Sequence, residues 1–147
     1  MGLMLGLTRR AVCQFGLVAA SAIGCGGKQG SSSADTVSSA QRQLVGRWVL
    51  IRYQPDEALE LMLTNFLNAQ IGVLTLEFTG QVMKAQGVGI TTQRAYQVVE
   101  AAGNQFRLVF SDPDGVTYNV AGAFQGPEIE FVSQTSPWRG RGRLRRL

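Results

Sequence analysis

From Leu44 onward the chain runs in short stretches where apolar and polar residues alternate, separated by turn-forming residues. Period-two alternation places successive side chains on opposite faces of a strand, so it demands sheets with one face buried. Eight such runs are predicted, at 44–53, 72–78, 81–86, 92–100, 105–111, 115–124, 128–133 and 139–146. The breaks between them are chemically specific. Thr79-Gly80, Gly103-Asn104 and Asp112-Pro113-Asp114-Gly115 supply residues that tolerate positive φ or are pre-set for tight reversal. Short reversals pair neighbouring strands antiparallel. The fold class is therefore all-β, an eight-stranded antiparallel meander at the spacing of a barrel or a sandwich.

The alternation also assigns an inner face: Leu74, Leu76 and Phe78; Tyr96 and Val98; Phe106, Leu108 and Phe110; Tyr118, Val120 and Phe124; Ile129 and Phe131. One segment departs from period two. Between Pro55 and Gln70, the residues Leu59, Met62, Leu63, Phe66 and Leu67 recur at helical spacing after the acidic start Asp56-Glu57, which predicts a helix inserted between the first two strands. That helix is expected to close one end of the barrel and complete the core, or to act as a movable portal for an apolar ligand.

Histidine is absent and both cysteines, Cys13 and Cys25, fall in the first 25 residues. His-based triads and His-ligated metal sites are thereby excluded, as is thiol chemistry in the folded part. No metal or cofactor is expected. A carboxylate-and-tyrosine arrangement such as Glu77 with Tyr96 has no motif behind it, so no enzymatic activity is expected either.

The first 24 residues read as an export leader. Arg9-Arg10 precede an apolar stretch at 11–24, which is too short to span a bilayer comfortably and ends in the small residues Ala22-Ile23-Gly24. Ser21-Ala22-Ile23-Gly24-Cys25 resembles the bacterial lipobox, with Ala22 where Leu is favoured. The resemblance implies cleavage after Gly24 and acylation of Cys25, which tethers the mature protein to a membrane; the alternative is an ordinary signal peptide with an incidental cysteine. Thr8-Arg9-Arg10-Ala11-Val12 also resembles the twin-arginine export signal but lacks its usual Phe-Leu, so the export route stays open. Gly26 after the cysteine resembles the outer-membrane sorting pattern. Residues 26–43 are rich in Gly, Ser and Ala and read as a flexible linker. Three parts follow: a signal peptide over 1–24, a lipidated cysteine and linker over 25–43, and a barrel domain over 44–147.

Leu44-Val45-Gly46-Arg47-Trp48, at the start of the first strand, resembles the Gly-X-Trp signature of the lipocalin and calycin group. In that family the tryptophan plugs the closed end of an up-and-down barrel and an arginine of the last strand packs across it. The resemblance implies that the meander closes as an up-and-down barrel, and it gives those roles to Gly46, Trp48 and one of Arg141, Arg143 or Arg145, with Arg143 the central choice. It also implies a carrier of a small apolar molecule or lipid, with a pocket under the helix lined by Leu59, Met62, Phe66, Phe78, Tyr96, Phe110 and Tyr118. The competing expectation is a barrel filled by its own aromatics, acting as a protein-interaction or assembly module of the cell envelope.

Five arginines crowd into 139–147. In isolation Arg139-Gly140-Arg141-Gly142-Arg143 resembles the Arg-Gly segments that bind nucleic acid. An exported lipoprotein does not meet RNA, so the run reads instead as a solvated final strand whose charges discourage edge-to-edge association. Anionic headgroups or an acidic partner are the functional alternatives. Asp112-Pro113-Asp114-Gly115 lacks the ligands of a calcium loop and is expected to be a turn. The lipobox reading has a direct test: labelled fatty acid fed to producing cells is expected in the wild-type protein and absent from Cys25→Ala, and equal labelling of both would refute it.

Overall fold

The computed structural model describes residues 33–136 and 138–147. The leader, the lipobox and Cys25 lie outside these residues. The elements are α1 (Ser33–Leu44), β1 (Gly46–Pro55), α2 (Leu61–Gln70), β2 (Thr75–Phe78), β3 (Val82–Gly87), β4 (Ile90–Ala102), β5 (Gln105–Ser111), β6 (Thr117–Gln125), β7 (Glu128–Ser133) and β8 (Gly140–Arg146). Each strand pairs antiparallel with the next, and β8 pairs back onto β1, closing an eight-stranded up-and-down barrel compatible with a calycin-like fold. All the expected strands are present. Closure leaves no free sheet edge.

The inner face follows the alternation, with Phe78, Tyr96, Val98, Phe106, Leu108, Phe110 and Ile129 buried together with Trp48, Leu50, Met83 and Leu144. Leu74, Leu76, Tyr118, Val120, Phe124 and Phe131 are half-buried against them. Two irregularities adjust the pattern. Between Leu50 and Arg52 the register of β1 on β8 shifts, so Tyr53 shares the inner face with Trp48 and Leu50 although its parity differs. A second shift between Val98 and Glu100 turns Ala101 inward beside Phe106.

The Arg-Gly alternation of β8 has a packing cause. Gly142 lies opposite Phe131, and a Cβ there would overlap the Phe131 ring; a Cβ at Gly140 would lie 2.5 Å from the Gln54 carbonyl oxygen and 2.9 Å from the Tyr53 hydroxyl. Glycine therefore points inward where aromatic side chains already fill the space, and arginine points outward. Gly122 on β6 makes the same room for Phe106.

The linker expected over 25–43 is corrected for its last part, because 33–43 belongs to α1. Val37, Ala40 and Leu44 form a narrow apolar stripe on that helix and pack against the core. Asp35 in the first turn and Arg42 in the last suit the helix dipole. Gln41 donates to the Gly80 carbonyl, fixing the helix to the β2–β3 turn. This helix therefore covers the barrel end from which β1 starts.

Trp48, 1% exposed, sits at that end and donates from Nε1 to the Leu44 carbonyl at 2.8 Å. The arginine that packs on it is Arg146, whose guanidinium lies 5.2 Å from the ring centroid and donates to the carbonyls of Gln43 at 3.1 Å and Val45 at 2.7 Å. Arg143, the expected partner, faces outward and pairs with Glu128 and Glu130. The reason is parity: Arg146 shares the inner phase of Gly142 and Leu144, and Arg143 does not. Gly46 adopts φ +136°, and a Cβ there would lie 3.0 Å from the Arg146 guanidinium, so this position needs glycine on both counts.

The helix expected over 55–70 starts later, at Leu61. Pro55 closes β1, and the amide of Asp56 donates to the Arg139 carbonyl at 3.0 Å, continuing the β1–β8 ladder past the strand end. Gln70, 1% exposed, anchors the other end of α2: its side chain donates to the Val88 carbonyl at 2.8 Å and accepts from the Val88 amide at 3.0 Å. Trp48→Ala is expected to lower the unfolding free energy by about 3–5 kcal/mol. Arg143→Ala, removing exposed pairs only, is expected to cost below about 1 kcal/mol. Urea unfolding checks both, and a loss for Arg143→Ala as large as that for Trp48→Ala would contradict the assignment of Arg146 to the closure.

Candidate functional site

An up-and-down barrel sorts its connections onto two ends. α1, the β2–β3, β4–β5 and β6–β7 turns and the end of β8 share one; the segment 56–74 with α2, the turns at 88–89 and 112–116 and the loop 134–139 share the other. Among the described residues, the second end collects seven of the ten large hydrophobics that are exposed: Leu61, Met62, Ile71, Val73, Val88, Val116 and Trp138. Single exposed apolar residues are ordinary, whereas their concentration on one end makes that end a candidate interaction surface. That end also carries Asp56, Glu57, Glu60, Asp112 and Asp114, half of the ten acidic residues. Arg139 is its one arginine in a connection, and the neighbouring Arg94 is engaged by Asp112 at 2.8 Å.

The seven residues expected to line one pocket under α2 are divided among three places. Phe78, Tyr96 and Phe110 form a buried aromatic cluster with ring centroids 5.2 to 6.5 Å apart, and the Tyr96 hydroxyl donates to the Thr79 carbonyl near the α1 end. Phe66 packs on Trp138 at 6.2 Å, with Leu59 half-buried ahead of the helix and Met62 80% exposed on it. Tyr118 stands at the rim, donating to Asp112 at 2.6 Å while Arg94 lies 4.9 Å from its ring centroid. These residues therefore do not form one cluster: three pack together in the core, and the others lie on or beside α2 and at the rim.

The Arg94–Asp112–Tyr118 constellation was not expected from sequence. Its structural role is clear: Asp112 also accepts at its carbonyl from the Gly115 amide and donates its own amide to Val116, so the 112–116 turn is braced from both sides. Gly115 holds φ +82°, as a turn residue. Among the described residues no group of three or more acidic, His or Cys side chains could hold a metal ion, and no helix is long and apolar enough to cross a membrane.

A second feature is a lateral pocket of about 910 Å³ on the wall formed by β4 to β8 and β1, bordered by Ser33 and Val37 of α1. Its lining combines outward-phase residues, among them Arg52, Arg107, Ala121, Glu130, Arg141 and Arg143, with inward-phase residues of the same strands, Ala101, Phe106, Gly122, Phe131 and Gly142. Arg107 pairs with Glu100, and Arg143 with Glu130. The wall is therefore part apolar and part cationic.

No protein-family model matches the chain, and no curated protein or solved structure is significantly similar to it. The geometry of these surfaces alone carries the functional reading.

Three tyrosines hold their protons more tightly than free tyrosine. Burial raises the pKa of Tyr96; burial and then Asp56 raise that of Tyr53; the hydrogen bond to Asp112, then burial, raise that of Tyr118. A raised folded-state pKa gives stability that is complete below the unfolded value of about 10 and is lost as pH rises through the folded value. Urea midpoints are therefore expected to be level from about pH 8 to 9 and to fall above about pH 10. Tyr96→Phe is expected to make that fall shallower, and an unchanged slope would remove Tyr96 from the account.

Proposed function

We propose that the protein is a non-enzymatic, exported barrel, anchored through acylated Cys25 to a membrane of the bacterial envelope, that works as an interaction module through its exterior. One observation carries this reading. The core holds the protein's own rings, with Phe78, Tyr96 and Phe110 clustered and Phe106 packed 4.6 Å from Phe124, while Met62, expected to line a ligand pocket under the helix, is 80% exposed and its neighbour Leu61 76% exposed. Apolar surface that could have closed over a ligand is presented to solvent.

The partner class follows from the same end. Apolar side chains interspersed with Asp56, Glu57, Glu60 and Asp114 complement a protein surface that is itself apolar and basic, and they disfavour an anionic bilayer. The anchor reading gives this a direction. The eight residue steps from Cys25 to Ser33 reach at most about 28 Å, which keeps the start of α1 within that distance of the acylated cysteine and leaves the opposite, apolar end room to meet a partner.

In the producing cell, a photo-crosslinking residue at Met62 or Val116 is expected to give a discrete protein adduct, absent from the same residue placed at Gln97 on β4. The adduct from Val116 is expected to disappear in Leu61→Asp. Native mass spectrometry of the gently purified protein separates the rival: a retained small apolar molecule with no adduct from the apolar end would establish a carrier and overturn the interaction reading.

A further inference from the structure

The lateral pocket contains a charge imbalance that the protein does not itself resolve. In the β1–β8 register Arg52 stands directly opposite Arg143, and Arg141 stands opposite Gln54 one step along the same outward row. Like charges directly opposite across a strand pair repel. Arg143 is compensated by Glu128 and Glu130, and Arg107 across the pocket by Glu100. With both acidic side chains of the pocket engaged, Arg52 and Arg141 are left with no carboxylate within ion-pair distance among the described residues. Two guanidiniums without a carboxylate partner thus stand on neighbouring strands in the lining of one pocket.

The rest of the lining sets the kind of anion. From β8 through β7 to β6 the outward row that starts at Arg141 continues to Val132 and Ala121, and the row that starts at Arg143 passes Glu130, already paired with that arginine, to reach Ala123, so the lining beyond the arginines carries short apolar side chains. A small inorganic ion would use the arginines and leave this apolar lining wet. We propose that the pocket binds an amphiphilic anion, with a phosphate or carboxylate headgroup on Arg52 and Arg141 and a short apolar chain along Ala121, Ala123 and Val132. Guanidinium groups suit either headgroup because their paired N–H donors match two oxygens of one anion. The site lies on the barrel wall, apart from the apolar end, so it stands or falls independently of the partner proposed there.

Titration of the purified full chain with hexyl phosphate, which is too short to form micelles at binding concentrations, tests it. Saturable binding is expected, about tenfold tighter than that of inorganic phosphate because the chain buries methylene groups. The double variant Arg52→Gln/Arg141→Gln is expected to lose at least about tenfold in affinity, and Arg139→Gln to lose none. Should the double variant fold poorly, the wild type still decides: the Nε–H resonances of Arg52 and Arg141 are expected to shift on titration while that of Arg139 stays. Liposomes of phosphatidylglycerol in phosphatidylcholine separate the sources. Binding that the double variant abolishes identifies a membrane lipid headgroup, and hexyl phosphate binding without liposome binding identifies a soluble amphiphile. Equal affinity of wild type and a folded double variant, equal affinity for hexyl and inorganic phosphate, or no saturable binding would overturn the proposal.

Discussion

The seam between β1 and β8 is the contact on which the rest of the structure depends. It turns a sheet with two open edges into a barrel with none, and it brings Gly46, Trp48 and Arg146 to one point beneath α1. Two backbone problems are solved there at once. The carbonyls of Gln43, Leu44 and Val45 at the end of α1 lack partners within the helix, and they receive the Trp48 indole and the Arg146 guanidinium. The same two side chains pack face to cation, so neither donor is buried without a partner. The helix, the first strand and the last strand are thus fixed relative to one another by two residues.

Much of this was legible in the sequence because period-two patterning is a local signal. The strands at 105–111 and 128–133 fall at the residues expected, and the inner face predicted from Phe106, Leu108, Phe110 and Ile129 is the buried one. What was missed depends on partners far along the chain. α1 offers only Val37, Ala40 and Leu44 in a Ser-rich segment, and a helix so weakly marked forms because the barrel end is there to receive it. The closing arginine differs from the expected one because the four arginines of β8 look equivalent until the phase of Gly142 and Leu144 separates inner from outer. Gln70 reads as a surface amide at the end of an amphipathic helix; its burial reflects the Val88 backbone, brought to it from 18 residues away.

The candidate pocket was the least legible feature for a related reason. Its expected members were chosen as apolar residues near one end, and the fold distributes them between a buried ring cluster, a helix surface and a braced turn. The lateral pocket depends instead on which arginines find carboxylates across strands, and that is a property of register. Glu130 lies opposite Arg143, while Arg141 meets Val132. Two residues along the same face decide which cation is spent and which is available.

Pairing the first strand with the last also sets an order of events during folding. Every other strand pair joins neighbours along the chain and can form as a hairpin while the polypeptide is still emerging, but Trp48 meets Arg146 only after all the intervening strands exist. Until then β1 and β7 each present an unpaired edge, and the Trp48 pocket is uncapped. An unfinished chain is therefore vulnerable to misassociation until its final strand arrives, and the arginines along that strand keep the arriving edge soluble until it docks.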